Sequence, residues 1–212
     1  MISADLYLSD MDFLQYLPMT DCEECGEKSC ATFALKLKRG LVRPEACPTL
    51  GGNRIKAFQL ALQADRILPK VPALELPRPG PTGLVAINDP DEQAHVLISG
   101  NSEFTQEVLS AIMAFTISPF WLLFVDSRGD TVDMAMIYRS LQERKIRATF
   151  EEARLHQGKE RTKVVLPGFA STLREPLEAQ TGWKVGVGPV CAAELPLYFD
   201  SRWEFPPKEN ID

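Results

Sequence analysis

Four cysteines near the N-terminus constrain this chain more than any other feature. They are spaced Cys-x2-Cys-x4-Cys-x16-Cys, at Cys22, Cys25, Cys30 and Cys47, and Pro48 follows the last one directly. Four thiols with this spacing can close a tetrahedral site, which suits an iron–sulfur cluster or a zinc ion. The Cys-Pro step favours a [4Fe–4S] cluster, because such a step also ends many cluster-binding loops. Four unlinked thiols are the alternative, and their clustering in one short segment argues against it.

Composition and charge limit the classes of function. The chain has 212 residues, of which 45% are hydrophobic and 25% charged, as in an ordinary globular protein. A net charge of −6 argues against nucleic acid and anionic membranes as partners. No apolar run reaches membrane-spanning length, and the first residues contain no basic, signal-like region. We therefore expect a cytoplasmic protein, from a low-oxygen setting if a cluster is bound.

A proline-rich stretch divides the chain. Residues 1–68 contain short helix candidates and are expected to form a helical cluster domain. Six prolines between residues 69 and 90 argue against regular structure there and predict an extended linker or a strap over a surface. Residues 91–205 are predicted to form a second domain, and residues 206–212 a tail.

The second domain shows an alternation of strands and helices. Its apolar runs predict strands buried on both faces, at 96–99, 120–126, 162–168 and 183–189. Helices are predicted at 103–115, 131–144, 169–180 and 190–199. This alternation predicts a doubly wound, mainly parallel α/β fold of the Rossmann or flavodoxin type. Ligands of such sheets bind outside the carboxyl ends of the strands, and the absence of GxGxxG and Walker motifs argues against a nucleotide.

Motifs at both ends of the chain indicate one family. The first motif is LPMTDCEECGEKSCATFALKLKRGLVRPEACP, and the others are the VDxxGxxV run that begins at Val125, then LPGFAS and TGWKVGVGP. Together they resemble the large (gamma) subunit of the corrinoid iron–sulfur protein of acetyl-CoA decarbonylase/synthase. The first motif is similar to that subunit's [4Fe–4S] domain, and the others are similar to its corrinoid-binding domain.

The resemblance implies cofactors, site residues and a role. It implies a [4Fe–4S] cluster on the four cysteines and a corrinoid such as cobalamin on the α/β domain. With the strand-end loops, it indicates corrinoid contacts at Ser99, Asn101, Thr105, Asp126, Gly129, Val132, Met134, Gly168, Ala170, Gly188, Pro189 and Cys191. Such a chain is expected to carry methyl groups between methyltransferases, while its cluster returns Co(II) to Co(I) by one-electron transfer. No residue is expected to be catalytic.

Two departures from the family bear on the corrinoid. The linker stands where the family has a TIM barrel, so a methyltransferase or a barrel-bearing subunit is expected to cap the corrinoid, with a reductase or reactivator as a further partner. Met134 falls where the family has a threonine under the cobalt, and it is either a lower ligand or ordinary core. Bulky residues at 136–139 favour an alternative, namely an iron–sulfur electron-transfer or sensor protein whose α/β domain docks a protein partner instead of a corrinoid.

Cys191 lies apart from the other cysteines. It is predicted at the start of the last helix, where the helix dipole would lower the pKa of its thiol. A reactive thiolate or cobalt ligand is one interpretation, and a buried, inert side chain is the other. A free-standing enzyme that uses Cys191 forms a third functional class, for which the sequence offers no partner base.

Overall fold

The computed structural model describes residues 6–71, 77–154 and 163–207. Parts of the predicted linker, of the third predicted strand and of the tail lie outside these ranges. Among the described helices, none combines the length and the apolar character that a bilayer crossing requires.

A mixed five-stranded sheet forms the centre of the described structure. Its strands are β1 (Gly83–Ile87), β2 (His95–Gly100), β3 (Phe120–Val125), β4 (Val164–Leu166) and β5 (Val185–Val187), in the spatial order β1-β3-β2-β4-β5. Strand β2 is parallel to β3 and β4, β4 is parallel to β5, and β1 is antiparallel to β3. The predicted α/β class with a mainly parallel sheet is confirmed. The chain passes from β2 to β3 on one side of β2, and then crosses to β4 on its other side. The junction between β2 and β4 is therefore a topological switch point.

Strand β1 corrects the prediction for the proline-rich stretch. It lies inside residues 69–90, where the sequence argues against regular structure, and pairs from Gly83–Phe124 to Ile87–Phe120. No proline falls within these five residues, and an edge position needs partners on one side only. The described residues just before it, 77–81, form a strap over the strand ends. Arg78 N donates to Gly129 O at 3.1 Å, and Gly80 N donates to Asn101 O at 2.7 Å.

Short helices flank the sheet. The N-terminal ones are α1 (Leu6–Asp10), α2 (Cys30–Lys38), α3 (Gly52–Ala61) and α4 (Ala64–Ile67). Those after β2 are α5 (Glu103–Met113), α6 (Val132–Ile137), α7 (Glu143–Glu152), α8 (Arg174–Thr181) and α9 (Leu195–Phe199). The single helix predicted at 131–144 is therefore wrong. It breaks where Arg139 adopts a left-handed φ of 55°, and the Ser140 hydroxyl then donates to Asp130 Oδ2 at 3.0 Å.

Apolar side chains cover both faces of the sheet. One face packs against the N-terminal helices in a continuous cluster that includes Phe33, Phe58, Leu97, Phe120 and Trp203. The other face packs against α6, α7 and α8, with Ile146, Phe150, Leu177 and Trp183 in its core. The described N-terminal residues thus share a core with the sheet. The division into domains at residues 68/69 and 90/91 stays a prediction.

Candidate functional site

A cavity of about 380 Å³ opens at the carboxyl ends of β2, β4 and β5, beside the switch point. Ser99, Leu166 and Gly188 line its sheet side, and Thr105 and Val108 of α5 line the flank. Because parallel strands end at the same edge, side chains far apart in sequence meet here. A cavity of this size lies at the lower end of the range for small-molecule sites.

The N-terminal region supplies the outer wall of this cavity. Leu6, Tyr7, Ser9 and Asp10 of α1 line it, together with Val71. The sequence analysis assigns no such role to α1, since no local pattern reveals which surface a short N-terminal helix will cover.

Half of the predicted corrinoid contacts lie on the cavity wall. They are Ser99, Thr105, Val132, Gly188, Pro189 and Cys191. These residues come from β2, α5, α6 and the segment after β5, so the fold brings four separate stretches of sequence to one surface.

Asn101 and Gly129 lie outside the cavity, in a buried polar junction. Asn101 Oδ1 accepts hydrogen bonds from Ser127 N at 2.9 Å and from Gly129 N at 3.3 Å. Asn101 Nδ2 donates to Gly80 O at 2.8 Å. The Asn101 side chain and the Gly129 backbone therefore join the loops after β2 and β3 to the strap.

The other predicted contacts also lie outside the cavity lining. The exposed Asp126 side chain pairs with Lys145 at 2.8 Å, and the hydrogen bond from Lys145 lowers the pKa of the carboxyl. Met134 is half-buried on α6. Ala170 is fully buried in the core on the other sheet face, and Gly168 N donates to Pro189 O at 2.9 Å. As corrinoid contacts, these four residues stay predictions.

The sequence predicts a lowered pKa for the Cys191 thiol, and this prediction is wrong. The Cys191 thiol is buried against the cavity, and burial raises its pKa to about 12, with Glu194 and Asp10 contributing in the same direction. The helix predicted to start here begins instead as a short 3-10 turn at Ala192, so its dipole is weak. The thiol is neutral at physiological pH, as the buried, inert interpretation requires.

Thr131 is a cavity residue that sequence reasoning missed. It lines the cavity immediately before α6, and its Oγ1 is buried without a hydrogen-bond partner among the described groups. A buried hydroxyl without a partner is costly, and a ligand group could satisfy it. Its position two residues after Gly129, inside the VDxxGxxV motif, is the one signal that could have indicated it.

The described lining of the cavity is acidic. Asp10 and Asp133 are the charged residues on its described lining, and no Lys, Arg or His of the described chain is among them. The remaining lining is mostly apolar, with hydroxyl groups from serine, threonine and tyrosine. This surface favours a neutral or cationic, largely apolar ligand over an anionic one.

The four N-terminal cysteines line a single narrow cleft. Cys47 is buried, Cys25 and Cys30 are half-buried, and Cys22 is exposed. The described side chains include no group of three or more His, Cys, Asp or Glu residues already positioned to hold a metal ion. The donor set nevertheless fits an iron–sulfur cluster, because four thiols line one cleft.

The cleft is shaped by a sharply turning loop. Gly26 has a left-handed φ of 81°, as do the non-glycine residues Asp21 (46°) and Glu23 (61°). Asp21 Oδ1 accepts a hydrogen bond of 2.6 Å from the backbone N of Cys30, which fixes the start of α2 to the loop. Ser29 caps the same helix by accepting from Thr32 N at 3.2 Å. The loop thus brings Cys22 and Cys25 to the cleft beside Cys30.

The bulky run at 136–139 does not occupy the cavity. Ile137 is 69% exposed and Tyr138 is 62% exposed, while Met136 packs partly against the core of the other sheet face. The sequence suggests that these bulky residues fill the corrinoid site, but they are not part of the described cavity lining.

Comparison with known proteins assigns the two regions to separate family models. Residues 73–198, more than half of the chain, match the model described as "CO dehydrogenase/acetyl-CoA synthase delta subunit". Residues 17–49, which contain the four cysteines, match the model described as "Putative Fe-S cluster".

Curated relatives agree with these matches. The acetyl-CoA decarbonylase/synthase complex subunit gamma of Archaeoglobus fulgidus is 30% identical over 127 residues, 60% of this chain and 27% of the relative. Subunit gamma 2 of Methanosarcina thermophila is 32% identical over 124 residues, covering 58% and 26%. The chain thus spans about a quarter of the length of these relatives. It belongs to the family of the CO dehydrogenase/acetyl-CoA synthase delta subunit, as a short relative of the acetyl-CoA decarbonylase/synthase gamma subunit.

Proposed function

We propose that this chain is a cytoplasmic corrinoid iron–sulfur protein that carries methyl groups between methyltransferases. The observation that supports it most is the cavity at the switch point of the sheet, where six of the predicted corrinoid contacts meet. Its relatives are subunits of the acetyl-CoA decarbonylase/synthase complex, which supports a role in a multi-protein system.

The residues around the cavity fit one face of a corrinoid. The apolar lining suits the macrocycle, and the unpartnered Thr131 Oγ1 and the Ser99 and Thr105 hydroxyls suit its amide side chains. Gly188 and Pro189 let the ligand approach the backbone, because neither places a long side chain over the end of β5. Thr131 therefore joins the contacts that we propose, whereas Met134 is absent from the described cavity lining.

The cysteine cleft fits the second cofactor. Cys22, Cys25, Cys30 and Cys47 would hold an iron–sulfur cluster, with the exposed Cys22 on the side open to a reductase or reactivator. A bound corrinoid would supply the methyl-carrying chemistry, and a bound cluster would supply one-electron reduction for its reactivation. The protein itself positions both groups and keeps water from the cavity side.

The methyltransferase or barrel-bearing partner would dock at the cavity mouth. Phe169 and Val190 line the cavity and are still 48% and 45% exposed, respectively. Exposed apolar side chains beside a ligand site are typical of a surface that a partner covers during transfer.

Cobalamin add-back tests the carrier function. We expect anaerobically purified protein to keep about one corrinoid per chain through gel filtration. A Co(II) electron paramagnetic resonance signal should disappear on stepwise reduction. Thr105→Phe fills the cavity and is expected to reduce retention more than tenfold. Ser110→Phe adds the same side chain to an exposed position of α5 and serves as the matched control.

One observation favours the second candidate function. The exposed pair Ile137 and Tyr138 gives the α/β region an apolar surface away from the cavity, as an iron–sulfur electron-transfer or sensor protein with a docked partner would need. If wild type and Ser110→Phe both contain iron and sulfide but retain no corrinoid, the carrier function is rejected. The electron-transfer or sensor function would then take its place.

A further inference from the structure

The cavity has two walls of different origin. The inner wall consists of strand ends, α5 and the start of α6, which belong to the α/β region. The outer wall consists of α1 and Val71, which come from the N-terminal region. Helix α1 has five residues, none of them buried, so apolar packing holds it weakly compared with the strands.

Hydrogen bonds to the segment at α4 hold α1 in place. Asp65 accepts from two consecutive backbone groups, with Tyr7 N donating to Oδ1 at 3.0 Å and Leu8 N donating to Oδ2 at 3.1 Å. The Tyr7 hydroxyl donates to Pro69 O at 2.6 Å. Asp65 thus caps the first turn of α1 from a distant position in the sequence, and we call this set of three hydrogen bonds the clasp.

The cavity holds only part of its proposed ligand while α1 is clasped. Cavities of roughly 300 to 1,000 Å³ enclose drug-sized molecules. A corrinoid, with its macrocycle and amide side chains, is larger than a drug-sized molecule, and this cavity measures about 380 Å³. The inner wall cannot recede, because strands β2 and β4 are paired within the sheet. The outer wall is the part that can move.

We propose that α1 is a built-in cap of the ligand site, closed by the Asp65 and Tyr7 clasp and displaced when the corrinoid enters. The inference rests on the proposed function for the identity of the ligand. It gives the chain a cover of its own over the cavity, where the sequence analysis expects a partner to be the cover. Opening breaks the three hydrogen bonds of the clasp, and also the hydrogen bond that Lys38 Nζ donates to Ser9 O at 2.7 Å.

Cys191 reports cap opening without any corrinoid. Its thiol is buried on the cavity wall, so N-ethylmaleimide reaches it only when the wall opens. Labelling is followed by mass spectrometry of the Cys191 peptide, separately from the peptides of the four cluster cysteines. Tyr7→Phe removes the hydrogen bond to Pro69 without a change of charge, and we expect labelling about fivefold faster at constant pH.

Two further variants make the result specific. Tyr138→Phe changes an exposed tyrosine in the same way and is expected to label at the wild-type rate. Asp65→Asn weakens both backbone contacts and is expected to label faster still. Its loss of charge near Cys191 also makes the thiol more acidic, so Tyr7→Phe decides the question. Equal labelling of Tyr7→Phe and wild type would overturn the cap, whatever the rate of Asp65→Asn.

The corrinoid is tested separately. Cobalamin loading is expected to accelerate hydrogen exchange at the Tyr7 and Leu8 amides, and Tyr7→Phe is expected to load faster than Tyr138→Phe. Unchanged or slower exchange at these amides in loaded protein would overturn displacement of α1 by the ligand. Faster Cys191 labelling in Tyr7→Phe without corrinoid retention by any variant would support the cap and reject the carrier function.

Discussion

Glu194 is a buried carboxyl at the contact between the N-terminal region and the sheet. Its side chain is 2% exposed, and Asp12 N donates to its Oε1 at 3.3 Å. Burial raises its pKa from 4.5 to about 7; nearby Asp12 acts in the same direction, and backbone hydrogen bonds and Lys38 oppose the shift. The Tyr16 hydroxyl hydrogen-bonds to the same carboxyl, and burial also raises the tyrosine pKa. Protonation of this residue is therefore linked to folding.

The linkage predicts that stability decreases as the pH rises. The folded chain binds the Glu194 proton more tightly than the unfolded chain does, so its contribution is complete below about pH 4.5 and is lost as the pH rises through about 7. Glu194→Gln removes this dependence. Between pH 5 and pH 8, the free energy of unfolding of wild type should therefore fall by on the order of 2 kcal/mol more than that of the variant.

Urea unfolding at the two pH values measures this difference. Glu107→Gln alters an exposed glutamate on α5 and provides the matched control, which should follow wild type. A Glu194→Gln variant whose pH dependence equals that of wild type would show that the carboxyl stays ionised in the folded chain.

The sequence predicts the surroundings of the four N-terminal cysteines, but not those of Cys191 or of the Thr131 hydroxyl. Four cysteines at close spacing predict one site, because short loops leave few alternatives, and the structure places them around one cleft. The environment of Cys191 depends on α1, some 180 residues earlier in the chain, and no local pattern encodes that contact. For the same reason, a sequence does not show that Thr131 Oγ1 lacks a hydrogen-bond partner within the described part of the chain.

At the level of elements, the strap over the strand ends depends on Gly129. Its φ is 79°, and a Cβ on this residue would lie 2.3 Å from Pro79 N, so a side chain would collide with the strap backbone. Gly40 offers a comparison, because its φ is 68° and a Cβ there would meet nothing within 4 Å. Both glycines adopt a left-handed φ, but only Gly129 lies against a neighbouring backbone that leaves no room for a side chain.

Alanine at these two positions is expected to have unequal effects. Gly40→Ala should reduce the free energy of unfolding by about 1 kcal/mol, the cost of a left-handed alanine. Gly129→Ala should cost about 2 kcal/mol more, because the strap must also move. Chemical denaturation measures both losses, and hydrogen exchange at Arg78 N shows whether its bond to Gly129 O persists. Equal losses would mean that the strap moves aside without cost.

The elements that sequence predicts best are those whose burial is set locally. The apolar runs of β2 and β3 lie at the centre of the sheet, and both strands form where the pattern predicts them. Strand β1 exists because β3 presents a free edge, a long-range pairing that the surrounding prolines conceal. The break after α6 depends on the Ser140 contact with Asp130, which a helical period does not reveal.

For the whole molecule, the decisive property is the core that the N-terminal helices share with the sheet. Helix α3 also binds the C-terminal segment through polar contacts. Asn53 Nδ2 donates to Asp200 O at 2.6 Å and to Trp203 O at 3.1 Å, and Arg54 pairs with Asp200 at 2.7 Å. These contacts join residues about 150 positions apart in the sequence, and they oppose independent motion of the cysteine cleft relative to the sheet.

Such a core predicts a single unfolding transition for both regions. All three tryptophans lie after residue 120, so their fluorescence reports the sheet region, whereas cluster absorbance reports the cysteine cleft. Phe58→Ala removes a fully buried ring from α3 and is expected to lower the free energy of unfolding by about 3 to 5 kcal/mol. The tryptophan and cluster signals should move together, because both regions depend on that ring.

Phe150→Ala provides the reciprocal control, since it removes an equally buried ring from the opposite face of the sheet. It should also shift both signals. If Phe58→Ala moved the cluster signal and left the tryptophan signal unchanged, the cysteine region would be a separately folding, jointed unit, as the proline-rich stretch predicts. Coincident shifts would instead mean that the cleft and the cavity keep a fixed separation in the folded chain. Ligand entry would then depend on the short helix α1 alone.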